Sequence, residues 1–91
     1  MSDDLDARRR RAGFRASHRG TREMDWLLGK FADANLATMS DADLELFEKL
    51  IALPDTDLHH WILEPASVDG GELAPLIGAL RTFHKLDQPV A

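Results

Sequence analysis

Cysteine is absent from the 91-residue chain, which excludes disulfides, thiol catalysis and cysteine-ligated zinc or iron–sulfur centres. Tyrosine is absent as well, and valine occurs only at positions 68 and 90. No alternating apolar run is bounded by turns, so nothing reads as a strand. No apolar stretch approaches the roughly 18 residues that a membrane span requires. Asp3, Asp4 and Asp6 sit beside the first arginines, where a transit peptide avoids acids, and no signal-peptide core follows. A soluble, untargeted, cytoplasmic protein is the expectation. The composition, 44% hydrophobic and 30% charged, suits a single globular domain over the whole chain, with flexible ends at about residues 1–5 and 87–91.

The net charge of -5 conceals an asymmetry. Residues 1–22 hold seven arginines against three aspartates, a balance of +4, whereas the remainder holds four basic and thirteen acidic residues, a balance of -9. A positive arm on an acidic body favours an acidic protein surface or a phosphate over bulk nucleic acid, because the body repels a long polyanion.

Apolar spacing predicts about five short helices in a compact all-α bundle. The first, over 5–18, has a thin stripe of Leu5, Ala12, Phe14 and Ala16 and depends on docking. Gly20 stops it. The second, from about Thr21 to Asn35, carries Met24, Leu27, Leu28 and Phe31 at i, i+3, i+4, i+7, with Trp26 off the stripe. The third has Ser40 as N-cap and Asp41 and Asp43 in its first turn. Leu44, Phe47 and Ile51, with Leu46, Leu50 and Leu53, give it a broad apolar surface at the centre of the core, and Pro54 ends it. Asp55 caps a short fourth helix in which Leu58, Trp61 and Ile62 face inward and which Glu64-Pro65 closes. After a loop over 66–71, a last helix carries Leu73, Leu76, Ile77, Leu80 and His84, with Pro75 confined to its first turn.

Candidate chemistry is sparse. His59 and His60 are adjacent and diverge by roughly 100° on a helix, so they cannot chelate one metal together. His18 and His84 lack companions at ligand spacing. No serine has a nucleophile context, and Gly70-Gly71 lacks the pattern of a phosphate loop. The acid pairs Asp41/Asp43 and Asp55/Asp57 fall where helix starts favour negative charge. No catalytic, cofactor-binding or metal-ligating residue is assigned, and the chain does not read as an enzyme.

Arg19-Gly20-Thr21-Arg22-Glu23-Met24-Asp25 is the exception. In the plain reading Gly20 turns the chain, Glu23 reaches back to a free backbone N–H and Arg19 is solvated. In the functional reading the turn brings Arg19 and Glu23 to one exposed corner. There the guanidinium grips a carboxylate or phosphate and the glutamate engages a donor. Both can hold at once.

This stretch resembles the RGxxE motif of the small succinate dehydrogenase assembly factors, or flavinators. The likeness continues through Phe31, Ser40-Asp41, Phe47, Leu53-Pro54-Asp55-Thr56-Asp57-Leu58 and Trp61, in order, over roughly residues 11–85. It departs at Ala16-Ser17, which are smaller than usual there, and at Pro75. The resemblance implies a five-helix protein that binds the flavoprotein subunit of succinate dehydrogenase, and often that of the related fumarate reductase. It implies promotion of covalent FAD attachment to a histidine of that partner, with no FAD held stably by the chain itself. Arg19, Gly20, Arg22 and Glu23 would form the partner-binding surface. The rival expectation is a small nucleic-acid-associated regulator using Arg8–Arg11.

Overall fold

The computed structural model describes residues 2–63 and 71–86. Among them are five α-helices and no strand: α1 (Ser2–Ser17), α2 (Arg22–Asn35), α3 (Asp41–Ile51), α4 (Asp55–Leu63) and α5 (Ala74–Phe83), with 3₁₀ turns at Leu36–Thr38 and Gly71–Leu73. The all-α expectation holds. Helix α1 begins at Ser2 instead of residue 5. The expected break at Glu64-Pro65, most of the loop after it and the tail from Asp87 lie outside the described residues.

Local chemistry accounts for the helix boundaries. Ser40 accepts from the Asp43 N–H at 3.1 Å and Thr21 from the Met24 N–H at 3.2 Å, each satisfying a donor that the first turn would leave open. Pro75 lies in the first turn of α5, where its missing N–H costs nothing. Asp55 differs from expectation. It is the first residue of α4, and the Pro54 carbonyl receives the Asp57 and Leu58 N–H groups. Its carboxylate serves elsewhere, as shown below.

The apolar stripes converge on one core. Met24, Leu27, Leu28, Phe31 and Ala32 of α2 meet Leu44, Phe47, Leu50 and Ile51 of α3, and Leu58, Ile62, Ile77 and Leu80 close the far side. Phe47 is fully buried, its ring 6.1 Å from that of Phe31. Among the described residues no polar or charged side chain is buried outright. Helix α1 lies against α2 and α3, while α5 lies against α4 and α2.

Helix α1 docks through small residues and ion pairs. Ala12 and Ala16 are buried, and Gly29 faces Ser17 so closely that a Cβ on residue 29 would lie 3.1 Å from Ser17 Cβ. The small Ala16-Ser17 pair is therefore the condition for this close crossing. Gly29→Ala gains up to about 1 kcal/mol of helix propensity but forces α1 outward, an overpacking cost of about 1–3 kcal/mol. A net loss of roughly 1 kcal/mol is expected in urea unfolding followed by circular dichroism. On the polar side, Arg8 bonds Glu48 at 2.7 and 3.3 Å and also Asp41. These bonds raise its pKa above the ordinary arginine value, those to Glu48 first.

Phe14 and Trp61 depart from their expected places, whereas Trp26 lies off the stripe as expected. Phe14, expected on the docking stripe, is 64% exposed. Trp26 is also exposed and lies against His84, ring centroids 4.5 Å apart. Trp61, expected inward, is half-buried at the core's edge.

Candidate functional site

The link between α1 and α2 is built around Gly20, whose φ is +118°. An L-residue rarely adopts that conformation, so glycine is needed there for its backbone. Nothing lies within 4 Å of a hypothetical Cβ at this position, so space is not the constraint in the free protein.

Asp25 holds the turn closed. Its Oδ1 accepts the Arg19 N–H and, at 3.3 Å, the Gly20 N–H. Back-capping is the task that the sequence predicts for Glu23. The structure gives it to Asp25, one turn into α2, because a carboxylate at that position points back over the open N-terminal end of the helix.

Arg19 is corrected more strongly. Its side chain is only 11% exposed, so it is neither solvated nor a free cation on an open corner. Its Nε donates to Asp55 Oδ1 at 2.8 Å, one terminal nitrogen donates to the Leu53 carbonyl at 2.7 Å and the other to the Ile51 carbonyl. The guanidinium thus caps the carbonyl end of α3 and pairs with the first acid of α4. Its planar fork of five donors suits several fixed acceptors at once. Arg81 does the same for α4, donating to the Ile62 carbonyl and, at 3.0 Å, to that of Leu86.

Arg22 and Glu23 remain outward-facing. Arg22 is exposed and makes no ion pair or hydrogen bond among the described residues. Glu23 Oε1 lies 3.2 Å from His59 Nε2, with both side chains about half exposed. Such a contact contributes at most about 1 kcal/mol, so a partner's donor can displace it at small cost. Beside Glu23, Thr21, Met24, Asp55, Thr56, His59 and His60 line a shallow groove between α2 and α4. Of the four expected site residues, the structure puts Arg22 and Glu23 at the surface, Gly20 at the pivot and Arg19 underneath. The sequence alone marks no such place for His59. Its only signal is its distance of four residues from Asp55, one helical turn.

Among the described residues no group of three or more His, Asp or Glu is arranged to hold a metal ion. No helix there is long and apolar enough to cross a membrane.

A family model described as "Flavinator of succinate dehydrogenase" matches residues 10–84. The chain belongs to this family. It is 40% identical over 75 residues to the FAD assembly factor SdhE of Acetobacter pasteurianus, covering 82% of this chain and 69% of the relative. To the FAD assembly factor SdhE of Pectobacterium atrosepticum it is 33% identical over 76 residues, covering 84% and 86%. To the mitochondrial succinate dehydrogenase assembly factor 2 of Dictyostelium discoideum it is 32% identical over 65 residues, covering 71% of this chain and 46% of the relative. No solved structure gives a significant match. The part of this flavinator-family chain that is matched runs from the middle of α1 through α5, taking in the turn at Gly20 and the acids at 23, 25 and 55.

Proposed function

We propose that this protein is an assembly factor for succinate dehydrogenase. It binds the flavoprotein subunit and promotes covalent attachment of FAD to a histidine of that subunit. The observation that carries this reading is the family match over residues 10–84, together with relatives named as FAD assembly factors. The geometry is compatible with a helper that contributes position and no nucleophile. Joining flavin to histidine needs proton removal and a stabilised electron-rich ring, which flavin and host can supply themselves. A helper then accelerates the reaction by holding the host in a reactive arrangement.

In this reading Glu23 and Arg22 touch the partner, and Gly20 sets their direction. Arg19 acts from beneath by fixing α3 and α4 behind them. The chain holds no FAD of its own between encounters. The nucleic-acid reading is weakened because Arg8 and Arg9 are engaged within the fold.

The test is reconstitution of the apo flavoprotein subunit with FAD, with and without this chain, read by in-gel flavin fluorescence. The intact chain should raise covalent flavin. Glu23→Ala should cut that gain by roughly tenfold, the size of loss expected when a central polar contact is truncated, with an unchanged melting curve. A null effect of the intact chain would defeat the proposal. Full activity of Glu23→Ala would remove Glu23 from the contact. A parallel arm with the fumarate reductase subunit tests breadth.

A further inference from the structure

The arginine run at 8–11 divides into two pairs with different environments. Arg8 bonds Glu48 and Asp41, and Arg9 bonds the Met39 carbonyl at 2.7 Å and Asp6 at 3.2 Å. Arg10 and Arg11 make no such bonds among the described residues, and neither does Arg15, one turn further along. These three exposed arginines and Phe14 line one shallow depression on the outer side of α1. Phe14 is 64% exposed, and His18 stacks on its ring at 4.0 Å with the planes 16° apart. One ring face is thereby covered and the ring is held in a fixed attitude.

Solvation alone accounts poorly for this patch. Arg11 and Arg15 are like charges at i, i+4, which disfavours the helix. Among the described residues no acid forms an ion pair with any of these three arginines. Arginine around an exposed aromatic is the composition of the energetically dominant part of a protein interface. The charge of the rest selects the occupant. Residues 23–91 carry a balance of -9, which opposes a long polyanion but leaves a short acidic segment to meet only the patch.

We infer that this face of α1 is a second docking surface, taking an acidic protein segment whose apolar side chain covers Phe14. Its identity as a segment of the flavoprotein subunit rests on the function proposed above. It extends the contact from Glu23 to the opposite side of the Gly20 turn.

The test measures binding of the full chain to immobilised apo flavoprotein subunit at low and at physiological salt. The variants are Arg10→Gln/Arg11→Gln/Arg15→Gln, Phe14→Ala and Glu23→Ala. The triple variant should bind roughly tenfold more weakly at low salt and lose most of its salt dependence, because screening acts on these charges. Phe14→Ala should weaken binding about fivefold and keep the salt dependence, since it removes an apolar anchor and no charge. All these side chains are exposed, so melting curves should not move. Wild-type affinity in both patch variants, with Glu23→Ala impaired, would overturn this inference and leave the proposed function standing. Absence of binding by the intact chain would overturn both. Tight binding of a labelled single-stranded or duplex oligonucleotide at physiological salt, lost in the triple variant, would reassign the patch to nucleic acid. A dimer in sedimentation that the triple variant disperses would reassign it to a second copy.

Discussion

Arg19→Ala is expected to destabilise the protein by about 2–4 kcal/mol, lowering the melting temperature by roughly 10–20 °C. A surface arginine would shift it within about 0.5 kcal/mol. The difference follows from what the side chain leaves behind. Its removal strips the Ile51 and Leu53 carbonyls of their donor and leaves the Asp55 carboxylate, 29% exposed, without its cation. Charged hydrogen bonds of this kind contribute about 1.5–3 kcal/mol each when fully enclosed, and partial exposure brings the total below their sum. Arg19→Lys keeps a charge near Asp55 but loses the fork, so it should recover roughly half of the loss. Urea unfolding of the three proteins measures this. A melting point unchanged in Arg19→Ala would show that the guanidinium does not brace α3 and α4. The consequence for function is direct: loss of activity in an Arg19 variant reports on folding first, so Glu23 is the cleaner probe of contact.

Gly20→Val should abolish the gain in flavinylation, by at least roughly tenfold, while far-UV helicity persists. At a φ of +118° a β-branched residue is strained by about 1–3 kcal/mol even in open space. The turn escapes by rotating, which breaks the two backbone N–H bonds to Asp25 and swings α1 against α2. Glu23 and the outer face of α1 then lose their mutual register. The melting temperature should fall by about 5–20 °C. Gly20→Asn, which tolerates positive φ better, should lie between wild type and Val in both readouts. Equal activity in all three proteins would show that the turn's conformation does not matter to the contact.

Much of this architecture is legible along the chain because it is set by neighbours in sequence. Ser40 caps α3 three residues from the N–H it binds, Pro75 sits where a helix tolerates it, and the stripes on α2 and α3 follow from the helical repeat. These interactions span one turn, so a linear reading reaches them. The broad apolar surface of α3 likewise announces its place at the centre. Phe14 shows the limit of that logic. It follows Ala12 and precedes Ala16 on a sparse stripe, yet 100° per residue turns it outward once the two alanines are against α2.

The bracing role of Arg19 was out of reach because its acceptors lie far along the chain. Arg19 meets Asp55 across 36 residues and Arg8 meets Glu48 across 40, and nothing in the local pattern ties either pair together. Whether an arginine braces the fold or faces a partner depends on which acceptors the packing of other helices brings within its reach. The sequence by itself determined the five helices, the Ser40 cap, the core stripes of α2 and α3 and the family. Only the tertiary structure decided that Arg19 lies beneath the surface, that Asp25 closes the turn, and that Arg8 and Arg9 are engaged while Arg10, Arg11 and Arg15 have no bonded partner among the described residues. A charge at a helix surface has no fixed partner until the helices have packed.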